Sequence, residues 1–551
     1  MRSRVLVVAL CWGAVAAALT IEAERATVKP VGMAIKEGWN LYSNGQVGDY
    51  VRFADAGSYE VVVRAYGSPA KGVWPQMLLL VDGQGRGTAT VDRKEFTDYP
   101  FKVDVKPGLH SIMVAFTNDA IIGGEDRNLC LDKIDIRPPA GAPDPVLASR
   151  EELAMEAQKA EDAVLAKARQ DIETNRKGDA VVRVVDAAGK PVSGASVAIE
   201  QTRHDFLFGC NIYKFGRYDT PEKNDAYAQR FADLFNYATV AFYWRWYEPE
   251  RGKPMYDYTD KVVAWCIEHG IRMKGHPLLW DHEAGKPKWN NNQQPSADVQ
   301  KERVTEIVKR FSGKIELWEA VNEPAHVRGV KIDEPYRWAR EADPKAYLIV
   351  NDYYVMANGF PPFYQLLEEA KKNGVPFDGI GIQAHEPRPM RFPLDQVVRV
   401  LDRYAALGKD LHITEFSPCS GGQPITGSRV GGTWDEAAQA DYAARFYTVC
   451  FAHPALMGIT WWDLCDDGSW LPGGGMLRKD LSPKPVYNEL KKLIHETWHS
   501  RAEGKTDEAG GFRFRGFFGR YQADVKSDRG NAKAELHLAK GEKGELSVVL
   551  R

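Results

Sequence analysis

Apolar and polar residues alternate over short stretches in the first quarter of the chain. Residues 59–65, 77–81 and 110–116 are runs of this kind, rich in valine, leucine and aromatic side chains. The dipeptides Asp82-Gly83 and Pro107-Gly108 lie between such runs and are turn signals. Short strands at this spacing, without a helical pattern, predict a β-sandwich over residues 20–137.

A proline-rich linker and a helical pattern follow the predicted sandwich. Residues 138–178 open with four prolines and continue as a stretch rich in alanine, glutamate, lysine and leucine. This stretch has few bulky apolar residues, so we expect a packed spacer helix without chemistry of its own. Residues 179–203 return to alternation and predict a pair of accessory strands.

The longest region alternates between short apolar strands and amphipathic helices. This pattern holds from residue 204 to about 498, and it is what a (β/α)8 TIM barrel requires. Residues 499–551 are β-rich again, and we expect this extension to pack with the accessory strands as one structural unit. The predicted fold class is therefore multidomain: a TIM barrel, a β-sandwich module before it, and a small accessory β-unit.

The first 19 residues have the layout of a secretory signal. A basic start, Met1-Arg2-Ser3-Arg4, precedes an apolar run from residue 5 to 19 with small residues near its end. We therefore expect residues 1–19 to be a cleaved signal peptide and the protein to be extracellular or periplasmic. An uncleaved anchor would need a run of about 20 apolar residues.

Composition narrows the class of partner. The net charge of −3 gives no reason to expect binding to nucleic acid or to anionic lipid. Fifteen tryptophans and 23 tyrosines supply surfaces that stack on sugar rings, although most aromatic side chains are core. Of seven cysteines, Cys11 lies in the signal, and the other six match no metal-ligand spacing. Buried free thiols are the preferred interpretation of these six, although export permits disulfides.

Carboxyl, amide and imidazole side chains follow three of the predicted barrel strands. Glu323 comes where Pro324 stops a strand, Glu415 ends an apolar strand, and Gln383 and His385 lie two residues apart. Reactive groups of TIM barrels lie at these strand ends. Cleavage of a glycosidic bond needs two carboxyl groups, one protonated and one ionised. A single glutamate at a strand end is usually a salt-bridged or solvated residue, but two such sites beside a Gln-x-His strand make coincidence much less probable.

These motifs also carry a family resemblance. The chain from about residue 206 to 493 resembles the glycoside hydrolase family 10 xylanases, and the matching segments come in the family's order. They are residues 275–280, 318–323, 351–353, 381–385, 413–415, 458–463 and 469–472. The resemblance implies an enzyme that hydrolyses O-glycosyl bonds of xylan, with Glu323 as acid/base and Glu415 as nucleophile, and with no cofactor for catalysis.

The same resemblance implies the sugar contacts. His385 would hold Glu415 in place and keep it ionised, and Asn322 would bond the sugar 2-hydroxyl or the surroundings of the nucleophile. The remaining predicted substrate-binding residues are His276, Trp280, Gln383, Trp462, Trp470, Tyr243 and Trp244. We expect the neighbouring carboxylate to raise the pKa of Glu323. Retention of configuration follows if the carboxyl groups lie about 5–5.5 Å apart.

The sequence departs from the family at its third strand. Typical members carry Glu-Asn-Glu-Met-Lys-Trp there, whereas the aligned residues here are Val240-Ala241-Phe242-Tyr243-Trp244. The family lysine is replaced by Tyr243, and the histidine that follows Trp280 is replaced by Asp281. The donor-side sugar is therefore expected to be decorated, or to stack on Tyr243.

The front module resembles calcium-dependent xylan-binding modules of carbohydrate-binding families 36 and 60. The matching runs are residues 116–119, 123–129 and 131–134, and the opening Ile21-Glu22-Ala23-Glu24 is shared with related sandwiches. Calcium takes six to eight oxygen ligands. We expect a ligand-facing calcium at Asp119, Glu125 and Asp126, and a structural calcium at Glu22, Glu24 and Asp132. An acidic loop without metal is the alternative.

Three functions stay open on sequence alone. The first is a retaining endo-β-1,4-xylanase acting as a monomer on plant cell-wall polysaccharide. The second is a retaining hydrolase of decorated xylan or of another β-linked glycan, which the altered third strand favours. The third is a polysaccharide-binding protein that has lost turnover, against which the retained Glu323, Glu415, Asn322 and His385 argue. Endo or exo action and the exact polysaccharide are not determined by these motifs.

Overall fold

The computed structural model describes residues 19–550 apart from Pro30, Arg328 and Lys543. The predicted signal peptide lies outside the described residues, except for Leu19. The chain forms two compact units, and the boundary falls between Glu156 and Ala157. No helix within the described part of the chain is long and apolar enough to cross a membrane.

The first unit is a β-sandwich. Its two main sheets have the strand orders β2-β3-β12-β5-β8, with β1 beside β12, and β13-β4-β9-β6-β7. Strands β10 and β11 form a separate hairpin. The strands are β1 (Leu19–Glu22), β2 (Met33–Ala34), β3 (Trp39–Leu41), β4 (Gly45–Phe53), β5 (Gly57–Ser68), β6 (Gln76–Val81), β7 (Gln84–Thr90), β8 (Thr97–Val105), β9 (Gly108–Phe116), β10 (Ile121–Ile122), β11 (Glu125–Asp126), β12 (Asn128–Arg137) and β13 (Val146–Leu147).

Alternation along the strands builds the sandwich core. On β5 the side chains of Tyr59, Val61, Val63 and Ala65 are buried in one apolar cluster, whereas Glu60 and Arg64 between them are partly exposed. Strands β4, β6 and β9 of the other sheet contribute to the same cluster. The β-sandwich predicted from the pattern of short strands is confirmed.

The second unit contains a long helix, the barrel and the accessory strands. Its helices are α1 (Arg150–Asn175, which begins before the boundary), α2 (Pro221–Ala232), α3 (Trp244–Tyr247), α4 (Tyr256–Glu268), α5 (Ala297–Arg310), α6 (Asp333–Ala342), α7 (Val355–Asn358), α8 (Pro361–Lys372), α9 (Leu394–Ala405), α10 (Glu436–Ala452) and α11 (Pro485–Lys492). Its strands are β14 (Lys177–Val185), β15 (Ser196–His204), β16 (Leu207–Asn211), β17 (Tyr237–Ala241), β18 (Arg272–His276), β19 (Leu317–Trp318), β20 (Tyr347–Asp352), β21 (Gly379–Gln383), β22 (Asp410–Phe416), β23 (Leu456–Trp461), β24 (Arg501–Lys505), β25 (Gly511–Phe517), β26 (Gly519–Ser527), β27 (Gly530–Leu538) and β28 (Gly544–Val549).

Strands β16 to β23 close into a barrel of parallel strands. These strands read as nearly continuous apolar runs because helices cover the outside and side chains fill the inside. Helix α9 shows the complementary pattern, with Leu394, Val397, Leu401 and Tyr404 buried on one face. The TIM barrel predicted from strand–helix alternation is confirmed.

Sequence from both ends of the second unit forms the accessory β-unit. Strand β14 pairs with β25 and β28, and β15 pairs with β24 and β26, which continues to β27. One apolar cluster, including Val182, Val197, Phe514 and Val525, lies within these strands. Segments more than 300 residues apart in sequence thus share one small core.

The fourth barrel strand is shorter than the apolar run 315–323 predicts. Regular pairing covers only Leu317–Trp318, although backbone hydrogen bonds continue from Leu278 N to Glu319 O and from Asn322 N to Leu279 O. Gly275 on the neighbouring strand makes room here, because a Cβ at that position would lie 2.2 Å from the Trp318 ring. The large indole is therefore accommodated inside the barrel wall.

All six cysteines in the described residues are unpaired and buried. The interpretation of these cysteines as buried free thiols is confirmed. Burial raises the pKa of thiols such as Cys266, to about 12.

Candidate active site

The polar side chains predicted to do chemistry gather at the carboxyl ends of the barrel strands. His276 ends β18, Gln383 ends β21, and Glu415 is the penultimate residue of β22. Glu323 follows the irregular continuation of β19. Parallel strands of one barrel end on one face, so residues far apart in sequence meet there.

Glu323 is held in a sparsely populated backbone conformation. Its φ is +53°, which is in the left-handed region and is unfavourable for a non-glycine residue. The backbone N–H of Glu323 donates to Asn351 O at 3.0 Å, and His326 and Val327 donate to the carbonyl of Glu323. The surrounding chain thereby holds the carboxyl group in one direction.

Two N–H donors contact the Glu323 carboxyl group. Trp280 Nε1 donates to Oε2 at 3.1 Å, and Gln383 Nε2 donates to Oε1 at 2.9 Å. Burial raises the pKa of Glu323 to about 7, and the negative charge of Asp352 adds to this rise while the donors oppose it. The sequence predicted that a neighbouring carboxylate would raise the pKa of Glu323. In the structure the main cause of the rise is burial, which outweighs any neighbouring charge.

Glu415 is buried, and two side chains contact its carboxyl group. His385 Nε2 lies 3.3 Å from Oε2, and Asn351 Nδ2 donates to Oε1 at 3.4 Å. Burial, and then the carboxylates of Glu323 and Glu319, raise the pKa of Glu415 well above its ordinary range. Two buried carboxyl groups that interact in this way titrate as a pair. Between the first and the second deprotonation, the pair carries one proton and one negative charge.

A chain of polar contacts joins the two carboxyl groups. Gln383 donates to Glu323 through its amide nitrogen, and its carbonyl oxygen lies 3.1 Å from Nε2 of His385. Burial and then the charge of Arg388 lower the pKa of His385 to about 3, so this ring is neutral at ordinary pH. His385 therefore brings no positive charge to Glu415: its Nε2–H donates to the Gln383 carbonyl oxygen and lies 3.3 Å from the Glu415 carboxyl group.

A buried ion pair lies below His276. The Glu319 carboxylate contacts Lys274 Nζ through one oxygen and His276 Nδ1 through the other, and all three side chains are buried. Burial alone would raise the pKa of Glu319, but the charge of Lys274 and the contact with His276 together lower it to about 2. Glu319 is therefore ionised and accepts a hydrogen bond from Nδ1–H of His276.

This contact fixes which atom of His276 is available on the other side of the ring. With Nδ1–H donating to Glu319, the neutral ring presents Nε2 as an acceptor. The Tyr243 hydroxyl lies 3.1 Å from Nε2 and must donate to it. A hydroxyl oxygen with its proton so engaged offers acceptor lone pairs to a ligand, whereas a lysine offers only donors.

Aromatic side chains form the walls of the site. Trp462 is nearly buried, with its ring at edge-on distance from His276 and His385. Trp470 is 46% exposed, and its ring centre lies 4.6 Å from that of His385. The Trp280 ring stacks on His282 at 4.2 Å.

Trp244 does not belong to this wall. It is 1% exposed, its indole N–H donates to Glu248 at 2.7 Å, and the Arg303 guanidinium lies 4.6 Å from the ring centre. A side chain enclosed in this way cannot contact a sugar. The predicted substrate contact at Trp244 is therefore wrong in this structure, and the residue is part of the packing behind the cleft.

The predicted ligand-facing calcium residues lie near the hairpin β10–β11. Asp119 Oδ1 is buried without a hydrogen-bond partner among the described residues. Burial, and then the negative charge of Asp126, raise the pKa of Asp119. Glu125 instead contacts the backbone N–H and the ammonium group of Lys71. An unpaired buried oxygen beside a second carboxylate fits a cation, while Glu125 is already neutralised.

The predicted structural calcium residues are more dispersed. Asp132 pairs with Arg64 at 3.0 Å, Glu22 lies opposite Lys133, and Glu24 is in a short 3-10 turn. No group of three or more histidine, cysteine, aspartate or glutamate side chains comes together as a metal site in the described part of the chain. Asp132 is already paired with a cation, and Glu22 and Glu24 do not gather with it, so the predicted structural calcium does not fit this arrangement.

The barrel region of the chain matches a known family. Residues 202–493, slightly more than half of the chain, match the model of glycosyl hydrolase family 10. The chain belongs to glycosyl hydrolase family 10. Residues 60–147 match a second model, described as a Ca-dependent carbohydrate-binding module that binds xylan.

Several curated proteins resemble this family 10 chain. The anti-sigma-I factor RsgI6 of Acetivibrio thermocellus is 29% identical over 70% of this chain and 49% of its own length. Endo-1,4-beta-xylanase 1 of Arabidopsis thaliana is 28% identical over 64% of this chain and 36% of its own length. Endo-1,4-beta-xylanase B of Thermotoga neapolitana is 29% identical over 48% of this chain and 83% of its own length. The chain thus spans about half or less of the first two relatives.

Two solved xylanase structures are also similar to part of this chain. Xylanase 10B of Thermotoga petrophila, in complex with xylobiose, is 27% identical with a TM-score of 0.45, and the match covers 53% of this chain and 95% of that one. Xylanase 10B of Thermotoga maritima is 26% identical with a TM-score of 0.45, covering 53% and 96%.

Sequence reasoning missed three polar residues of the family 10 site. Asn351 joins Asn322 and Glu415, and it ends an apolar strand just as Glu415 does, so the same signal could have found it. Lys274 and Glu319 lie inside the barrel and contact no solvent. A charged residue within an apolar run is a signal for such a pair, but its partner on another strand cannot be recognised from spacing.

Proposed function

We propose that this protein is a secreted, retaining endo-β-1,4-xylanase that cleaves xylan by double displacement. The observation that best supports this proposal is the path Glu323–Gln383–His385–Glu415, which links a protonated and an ionisable carboxyl group across one cleft. Retaining glycosidases need this pair within about 5–5.5 Å.

In the first step the Glu415 carboxylate attacks the anomeric carbon and forms an ester bond with the sugar. The glycosidic C–O bond breaks, and the leaving oxygen takes the proton of Glu323. The pKa of Glu323, raised to about 7, keeps that proton available near neutral pH. In the second step Glu323, now ionised, takes a proton from water, and the resulting hydroxide displaces Glu415 from the sugar.

Xylan is the substrate that the comparisons favour. The matching module family is described as xylan-binding, and the relatives from Arabidopsis thaliana and Thermotoga neapolitana are named endo-1,4-beta-xylanases. Family membership covers the chemistry of the barrel, while the substrate of this chain is carried over by similarity alone.

A second candidate is another β-linked glycan, or a xylan with side groups at the third strand. Tyr243 presents acceptor lone pairs where the family has a lysine, because its hydroxyl proton is donated to Nε2 of His276. A donor-side sugar must therefore offer hydroxyl donors at this point. This reversal of polarity favours a sugar placed differently from that of a typical member.

We propose that the front module binds the polysaccharide with the help of calcium. The description of the module family as Ca-dependent and the unpaired oxygen of Asp119 beside Asp126 support this role. These two carboxylates would hold the ion, which would offer open coordination positions to sugar hydroxyl groups. Secretion through residues 1–19 is part of the same proposal, since plant polysaccharide lies outside cells.

Product analysis tests the proposed reaction. Purified protein is incubated with unsubstituted xylan, arabinoxylan and mixed-linkage glucan, and Glu415→Gln serves as the control because it keeps shape but removes the nucleophile. We expect xylo-oligosaccharides from the wild type only, with the β-anomer appearing first by NMR. An α-product appearing first would contradict retention, and activity on glucan without activity on xylan would favour the second candidate.

A further inference from the structure

A cavity lies beside the paired carboxyl groups. It has a volume of about 220 Å³ and is bounded by the segments that follow β21, β22 and β23. A water molecule's share of liquid volume is about 30 Å³, so the space is far larger than one water needs. The side chains that carry the argument are those of His385, Arg388, Met390, Ser417, Trp434 and Leu471.

Two polar atoms in the lining residues have no partner. His385 Nδ1 and Ser417 Oγ are both buried, and neither has a hydrogen bond among the described residues. Buried polar groups left in this state cost free energy, so native proteins usually satisfy them with a ligand or water. Together they offer one acceptor and one hydroxyl to whatever enters the cavity.

His385 separates this cavity from the reacting carboxylates. Its Nε2 atom faces Glu415 at 3.3 Å and Gln383 at 3.1 Å, while Nδ1 is on the other side of the ring. A sugar undergoing cleavage lies against Glu415, so the cavity is placed for a group attached to the polysaccharide backbone. Its volume suits a monosaccharide branch, since an acetyl group would leave most of it empty.

The charge at the cavity selects the kind of branch. Arg388 is the one charged side chain among the described residues that line it. Its guanidinium lies 4.4 Å from the centre of the Trp470 ring, and Glu386 occupies only the Nε edge, at 2.9 Å. The outer edge of a guanidinium group pairs with a carboxylate through two parallel hydrogen bonds.

We propose that this cavity binds a uronic-acid branch of the substrate, with the branch carboxylate on Arg388 and its ring hydroxyl groups on Ser417 Oγ and His385 Nδ1. The apolar faces of Met390, Trp434 and Leu471 enclose the sugar ring. This inference rests on the proposed function, since it assigns a side group to the polysaccharide that the barrel cleaves.

Matched substrates test the branch pocket. Initial rates are measured on linear xylan, on xylan with uronic-acid branches, and on the same branched xylan after chemical reduction of its carboxyl groups to alcohols. We expect the wild type to cleave the acidic polymer severalfold faster than the reduced one. Arg388→Gln abolishes this preference, whereas Arg399→Gln, which changes an exposed arginine paired with Asp395 on helix α9, preserves it.

A binding measurement keeps the test independent of turnover. The Glu415→Gln protein is titrated by calorimetry with a uronic-acid-branched xylo-oligosaccharide and with its carboxyl-reduced form. On the order of tenfold weaker binding of the reduced form is expected for the loss of one charge-assisted contact. Equal binding of the two forms, or a preference that survives Arg388→Gln, overturns the branch pocket. Cleavage of linear xylan without any preference refutes this inference alone, and absence of cleavage on every xylan refutes the proposed function.

Discussion

At the scale of single residues, the acidity of Glu323 is set by opposing contacts. Burial raises its pKa to about 7, while the N–H groups of Gln383 and Trp280 stabilise the ionised form and limit the rise. The two directions can be separated by removing one donor and leaving the burial unchanged. The pH dependence of activity then reports the acidity of this one group.

Trp280→Phe is expected to move the alkaline limit of activity to higher pH. The substitution removes the indole N–H donor at 3.1 Å, which makes ionisation of Glu323 less favourable. The alkaline limit of the kcat/KM profile is expected to shift by on the order of half a pH unit, which corresponds to the loss of a weak hydrogen bond. The measurement is the pH–rate profile, in which activity falls as pH rises through the pKa of the acid. A limit that moves to lower pH would contradict the assigned role.

Tyr243→Phe tests the acceptor position that the substitution in the third strand creates. The variant leaves Nε2 of His276 without its hydroxyl donor and removes the oxygen that a sugar would meet. We expect kcat/KM to fall about tenfold, the loss that one hydrogen bond at a buried site brings. Tyr364→Phe on helix α8 is the control, because that ring contacts Tyr404 away from the site. Equal activities of the two variants would exclude Tyr243 from the binding of substrate.

At the scale of elements, two adjacent strands share a buried ion pair. Lys274 on β18 and Glu319 after β19 are both inaccessible to solvent, and His276 completes the cluster. Breaking a buried pair by removing one partner leaves an uncompensated charge, which costs about 3–5 kcal/mol. The cluster therefore links barrel stability to the orientation of His276.

Glu319→Gln is expected to destabilise the barrel by about 3 kcal/mol or more, because Lys274 then stays buried without its counter-charge. The free energy of unfolding is measured by urea denaturation and followed by tryptophan fluorescence. Lys274→Met combined with Glu319→Leu is expected to recover part of this loss. A single variant with wild-type stability would show that the charge is compensated elsewhere.

The elements that sequence predicts well are those whose pattern has one physical cause. Strand–helix alternation predicts the barrel, and polar residues at the ends of apolar strands predict Glu323, Glu415, Gln383 and His385. The prediction that Trp244 contacts sugar is wrong because the sequence does not show whether an aromatic side chain beside a strand end faces the cleft or packs on Arg303. The cavity beside His385 is invisible in sequence, since three separate loops surround it.

At the scale of the whole molecule, the chain combines a barrel that belongs to a hydrolase family with a module that matches a binding family. Residues 60–147 match the module family, and they lie in a different compact unit from the barrel. Separate units permit the two activities to be measured and removed independently. Polysaccharide binding and cleavage are therefore expected to respond to different treatments.

Removal of calcium is expected to abolish polysaccharide binding while leaving cleavage of short oligosaccharides unchanged. Without the ion, nothing offsets the burial of Asp119 and the negative charge of Asp126, which together raise the pKa of Asp119. Binding is followed by calorimetry with and without chelator, and Asp119→Asn is expected to behave as the chelated protein does. Asp98→Asn, an exposed aspartate on strand β8, is the control. Unchanged affinity after chelation would leave the loop as an acidic surface without metal.

The buried, unpaired cysteines have a practical meaning for handling the protein. Because Cys130, Cys210, Cys266, Cys419, Cys450 and Cys465 form no cross-links, the described fold draws none of its stability from oxidation. Production in a reducing compartment and refolding without redox catalysts should both give active material. Thiol-reactive reagents should label these cysteines only as fast as the chain opens, which makes the labelling rate a direct measure of local unfolding.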